Sequence, residues 1–201
     1  MLLLPLLAII GGSFAVVAVA TRPTWLPAVA VGASIPVGLA LGWIVRRRAH
    51  VLGSVHPGVD WYVSALVALL AALLAIVVAA RWPESWPALR NLHLHLNLLG
   101  FLGLTAIGTL RVLLPTVLGR NDPTVMAFLR RQLLWAALGT AAVALGAAVW
   151  PPLSLFGVLL WLGPAIGLVQ VLPACRERWL KLHTASTALG AAAFGWLVLL
   201  A

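Results

Sequence analysis

Two imidazoles and a carboxamide stand together in His93-Leu94-His95-Leu96-Asn97, where a long apolar stretch begins that runs on through Gly100, Phe101 and Gly103. Histidine entering a membrane is costly unless it is partnered, so it marks a functional position by default. Imidazole is also the common protein ligand of haem iron and of copper. Two chemistries follow from the residue types. The rings ligate a metal or cofactor, or they form a polar helix end that bonds water, headgroups or Glu84.

Helical geometry separates the two rings. At about 100° per residue, His93 and His95 lie about 160° apart, on nearly opposite faces. The His93 face continues through Asn97, Gly100, Leu104, Gly108 and Arg111, a line of polar and small residues suited to the inside of a bundle. The His95 face runs through Leu102, Ala106, Thr109 and Leu113 and reads as a lipid or packing face. Both rings reach one copper ion only if the helix start is unwound. A flat macrocycle suits the glycine-lined His93 face. Arg111, about 27 Å along the helix from His93, is expected to snorkel to the far interface.

The elements that must carry these residues are membrane helices. Of 201 residues, 63% are hydrophobic and 8% charged, a balance that a soluble domain does not show and a polytopic membrane protein requires. Seven uncharged runs are each near the 20 residues needed to span a bilayer: Leu2–Ala20, Trp25–Val45, Trp61–Ala80, Leu92–Leu114, Leu133–Trp150, Leu153–Leu172 and Leu182–Leu200. The expected fold is all-α, a single transmembrane helical domain over residues 1–201 with about seven spans. Leu2–Ala20 ends in Ala18-Val19-Ala20, like a cleavage site, but lacks a basic start and is expected to be retained.

Charge orients the bundle. Arg46–Arg48, Arg120, Arg130, Arg131, Arg176, Arg178 and Lys181 fall on one side; Arg22, Arg81 and Arg90 fall on the other. The positive-inside rule puts the N-terminus in the cytoplasm and the C-terminus outside. The net charge of +9 is thus mainly a topology signal, and no nucleic-acid partner is expected. The one cysteine, Cys175, excludes a disulfide framework. Gly38 with Gly42 and Gly163 with Gly167 are small-xxx-small pairs expected to let helices approach closely, and Pro164 should kink its helix. On the cytoplasmic side, His50, His56 and His183 remain. His56 and His183 form a second, weaker candidate metal site. His50 continues the Arg46–Arg48 run and is expected to be dispensable.

From His93 to Gly119 the chain reads H-x-H-x4-G-F-x6-G-x-L-x4-P-x3-G. This resembles the histidine-rich helix of the NnrS family, membrane haem- and copper-containing proteins associated with nitric oxide stress and distantly akin to haem–copper oxidases. Leu94–Arg120 also looks like the membrane part of some bacterial copper nitrite reductase and multicopper oxidase relatives. The resemblance covers about an eighth of the chain and maps His93 and His95 onto the paired histidines, with Gly100, Phe101, Gly108 and Pro115 as scaffold. Leu96 stands where the family has an acidic residue, and the sole tyrosine, Tyr62, belongs to no oxidase-type copper site. The resemblance implies haem b first and copper second, held by His93 and His95 with Asn97, Gly100 and Gly108. It implies electron transfer, nitric oxide or copper handling, or sensing, without independent catalysis. The expected setting is a bacterial or archaeal inner membrane, with a membrane or periplasmic redox partner or a second copy of the chain. The competing class is a cofactor-free permease subunit or an assembly and anchoring module.

Overall fold

The computed structural model describes residues 20–117 and 122–170. All regular structure among these residues is helical, and five helices are long and apolar enough to cross a membrane. They are α1 (Leu26–Ala49), α2 (Gly58–Arg81), a composite span over Pro83–Thr116, α5 (Val125–Ala148) and α6 (Pro151–Val169). The composite span consists of α3 (Trp86–His95), a π-helical segment (Leu96–Gly103) and α4 (Leu104–Val117). Apart from Ala20, the first and seventh apolar segments lie outside the described residues. Cys175, His183 and the glycines of segment seven lie there too.

Helix starts are marked by proline. Pro83, Pro87 and Pro151 stand in the first turns of their helices, where the missing N–H would be unpaired anyway. This explains one difference from the expected boundaries. The composite span begins at Pro83, well before Leu92, and its 34 residues extend about 51 Å against a hydrocarbon core of about 30 Å. Its first turns, with Glu84 and Arg90, therefore project beyond the hydrocarbon. Likewise α5 begins at Val125 rather than Leu133, so Arg130 and Arg131 lie inside its second turn and not in a connection.

Helix α2 is the hub, in contact with α1, α3, the π segment, α4 and α5. One face of it is a line of small residues, Ala65, Ala68, Ala72, Ala75 and Ala79, all buried. Lipid is as apolar as leucine, so close backbone packing and not burial from water favours such contacts. Trp61, at the foot of the same face, is fully buried and donates its indole N–H to the Leu129 carbonyl of α5 at 2.9 Å. Tyr62 reaches Thr109 of α4 at 2.7 Å.

The α5–α6 hairpin is the most extensive helix pair, and its contact is made of glycines. A Cβ on Gly157 would meet the Val143 backbone nitrogen at 2.6 Å and the Gly139 carbonyl at 2.7 Å. Gly163 and Gly167 accommodate Gln132 and Phe128, so that expected small pair does admit a neighbour. Gly38 and Gly42 do not: nothing lies within 4 Å of a Cβ at either among the described residues. Helix α1 packs chiefly on α2 and buries only Ala30, which leaves those two glycines on an open face. Pro164 is fully buried within α6.

Candidate functional site

The inward face read from the His93 register is the one the bundle buries. Gly100, Leu104, Gly108 and Arg111 are buried, while Leu102 and Leu113 on the opposite face are exposed. Within this span the π segment is the departure from regular geometry. Its backbone widens to i→i+5 bonding, seen where the Leu104 N–H reaches the Leu99 carbonyl. π turns inside α-helices are uncommon and frequent at functional sites. This one begins just after His95 and contains Asn97, Gly100 and Gly103.

His93 is anchored to a neighbouring helix. Its Nδ1 lies 2.8 Å from the Ala72 carbonyl of α2. A carbonyl only accepts, so Nδ1 carries the proton and Nε2 the lone pair. The Asn97 amide nitrogen donates to the His93 carbonyl at 3.0 Å. It lies 3.2 Å from Nε2 and 3.3 Å from Nδ1. Nearly equidistant from both, it sits over the ring and not on the in-plane lone pair of Nε2. Ala72 is nine residues from the Arg81 end of α2 and fourteen from Gly58, or about 13 Å and 21 Å. His93 is thus half-buried beside the middle turns of α2.

His95 is placed differently. Its Nδ1 bonds the Asn91 carbonyl of its own helix at 2.8 Å, and Asn91 donates its side-chain amide to the Ala147 carbonyl of α5 at 3.1 Å. The backbone is regular α-helix from Trp86 to His95. The unwound start that would let the two rings converge is absent, and the structure does not bring them together. Among the described residues no three of His, Cys, Asp and Glu gather as a metal cluster. His56 is occupied as a turn cap: its Nδ1 accepts the Gly58 N–H at 3.0 Å, at the start of α2. His50 closes the end of α1. Pairing of His56 with His183 lies outside the described residues.

The glycines bear on what His93 could hold. A Cβ at Gly100 would meet the Ala68 Cβ at 2.5 Å and the Thr140 methyl at 3.3 Å, and one at Gly108 would meet the Trp61 Cβ at 2.8 Å. The room they leave is taken by protein, so a macrocycle does not fit on the Gly100–Gly108 face in this packing. One side-chain donor remains for a ligand here, the Nε2 of His93. Nε2 carries the lone pair, and the Ala72 carbonyl fixes the other nitrogen as the outer partner of a ligating imidazole does. Sequence reasoning missed Ala72, Ala68, Thr140 and Trp161, whose indole N–H donates to Thr140 at 3.1 Å. A backbone carbonyl and alanines carry no signature of chemistry in a sequence.

A second polar site closes the other end of this span. Arg111 is 5% exposed and reaches Asp122 at 2.5 Å and the Thr124 hydroxyl at 2.8 Å. Its guanidinium also lies over Phe128, 5.1 Å from the ring centre. Arg111 does extend toward the interface, but protein receives it there. Burial pushes the Asp122 carboxyl up; hydrogen bonds from the Thr124 hydroxyl, Arg111 and the Thr124 N–H, with the Arg111 charge, outweigh that and hold it below its ordinary 3.8.

Comparison with protein-family models, curated proteins and solved structures returns no match.

Removing one partner of a buried pair leaves the other charge uncompensated. Asp122→Asn is therefore expected to cost about 3 kcal/mol, the lower end for such pairs because Asp122 is 23% exposed. Adding Arg111→Met should restore most of it. Asp122 has a lowered folded-state pKa, so its contribution is present above the unfolded value and lost as pH falls through the lowered one. Thermal unfolding in detergent, followed below pH 3.8, should show this loss in the native chain and not in Asp122→Asn.

Proposed function

We propose that this chain is a multi-pass inner-membrane protein of bacterial or archaeal origin that binds a redox metal through Nε2 of His93. It serves electron transfer, nitric oxide or copper handling, or sensing, as the NnrS-like His93–Gly119 pattern implies. The observation that carries the reading is the Nδ1 bond from His93 to the Ala72 carbonyl, which presents Nε2 as the lone-pair nitrogen inside the bundle. The Asn97 amide lies over the ring. A metal would be taken up when the amide swings away, while Ala72 keeps the ring oriented. Copper suits imidazole and needs less room than haem b, for which Ala68 and Trp61 would have to move. When bound, such a metal supplies one-electron chemistry. His95 would then be an outer residue, not a joint ligand.

The second reading is a cofactor-free permease subunit or anchoring module, and one observation favours it. His93 already bonds the Ala72 carbonyl of α2 and has the Asn97 amide against its ring, as in a polar joint that holds two helices together. Metal analysis and an absorption spectrum of protein purified in mild detergent separate the two. Stoichiometric copper, lost in His93→Ala and retained or tightened in Asn97→Ala, is expected. A Soret band lost in His93→Ala would instead name haem and require the bundle to open at Gly100. Metal-free protein after growth and purification with copper, or metal unchanged by His93→Ala, would leave the joint reading.

The full chain is proposed to have seven spans with its N-terminus in the cytoplasm, from nine basic residues on one side against three on the other. Single cysteines at Glu84 and Pro123, in a Cys175→Ala background, should react oppositely with an impermeant thiol reagent in intact cells. Labelling at Glu84 alone is expected; labelling at Pro123 alone would invert the orientation.

A further inference from the structure

Two arginine groups meet at one end of the bundle. Arg46, Arg47 and Arg48 finish α1, and Arg130 and Arg131 stand in the second turn of α5. Consecutive residues at the start of α2 tie them together. Asp60 pairs with Arg48, and the next residue, Trp61, donates to the carbonyl of Leu129, the neighbour of Arg130. The two groups thus flank a single helix start.

The acids at this end are already committed. Asp60 is taken by Arg48 and Asp122 by Arg111. Glu84 lies at the other end of the composite span, and in the sequence the remaining acid, Glu177, is flanked by Arg176 and Arg178. Arg46, Arg47, Arg130 and Arg131 are exposed and make no ion pair among the described residues. Four exposed cations therefore lie at this end of the bundle, on either side of the α2 start, with no acid paired to them among the described residues.

Hydrocarbon-facing surface begins within one turn of each group. Arg47 lies over Trp43, 5.6 Å from the ring centre, and Trp43 is 62% exposed. Trp135, four residues beyond Arg131, is 48% exposed, and Leu39, Leu134 and Leu138 are exposed beside these rings. A ligand matching the patch carries phosphate and hydrocarbon in one molecule. Nucleic acid and free phosphate lack the second part. Basic clusters at the ends of membrane helices hold anionic lipid headgroups in this way.

We propose that this end of the bundle is a binding site for an anionic phospholipid, its phosphates on Arg46, Arg47, Arg130 and Arg131 and its acyl chains against Trp43, Trp135 and Leu138. The proposal is independent of any metal at His93. A lipid with two phosphates, such as cardiolipin, matches four arginines best.

The test is native mass spectrometry of the full chain, released from mixed micelles containing cardiolipin and phosphatidylcholine. Cardiolipin should be retained over phosphatidylcholine. Selectivity should fall roughly fivefold for each arginine neutralised, on the order of thirtyfold in Arg130→Gln/Arg131→Gln. Arg90→Gln, at the opposite end, should leave it unchanged. If the α5 variant does not fold, Arg46→Gln/Arg47→Gln gives the same reading from α1. Equal retention of the two lipids, selectivity unchanged in both double variants, or the same loss in Arg90→Gln would overturn the proposal. Displacement of cardiolipin by inorganic phosphate at matched ionic strength would also overturn it, as a plain anion site.

Discussion

A polar group in hydrocarbon has no water to bond, so each must find its partner within the protein or cost several kcal/mol. The described bundle largely meets that constraint, with Thr105 Oγ1, Arg111 Nε and Gln132 Oε1 the buried side-chain atoms left without a hydrogen bond among the described residues. Trp61 could not be fully buried without the Leu129 carbonyl for its indole N–H. Arg111 could not lie buried without Asp122 and Thr124. His93 is held to α2 by the Ala72 carbonyl, which accepts from Nδ1, with the Asn97 amide against the ring. The Trp61 and His93 bonds join different helices, so satisfying these groups also helps set which helices touch.

Small residues make those bonds reachable. The alanine line of α2 lets the π segment come close enough for His93 to reach a backbone carbonyl across the interface. Gly100 against Ala68 and Gly108 against Trp61 hold the rest of the span to α2, both on the Trp61 side of the His93 bond. The same close fit decides what the site can take. A helix packed this tightly leaves no slot for a macrocycle on its Gly100–Gly108 face. The π segment is where the packing could change, since its wider turn already departs from the α-helical bond pattern and includes Asn97.

Much of this was legible in the residues. Apolar runs bounded by Trp, Pro and Arg located the five described spans, and the 3.6-residue period placed His93, Gly100, Gly108 and Arg111 on the buried face. Boundaries were less readable. Pro83 and Pro87 start the third span far outside the apolar core, and Arg130 and Arg131 continue α5, because a membrane helix need not stop where hydrophobicity does. The meaning of the glycines was readable only in part. Gly38 with Gly42 and Gly139 with Gly157 are both small residues on apolar helices, yet only the second pair meets a neighbour among the described residues. Which stripe is covered depends on the partner helix, and a carbonyl such as that of Ala72 has no identity in sequence.

The account rests on the His93 imidazole being held by α2 with Nε2 as its acceptor nitrogen. Nitrogen-15 NMR of histidine-labelled protein, with His93→Gln used to assign the signal, reads this directly. A protonated Nδ1 and an unprotonated Nε2, in a ring whose signals respond to Asn97→Ala, are predicted. An Nε2–H tautomer, or a ring whose signals ignore Asn97→Ala, would contradict it.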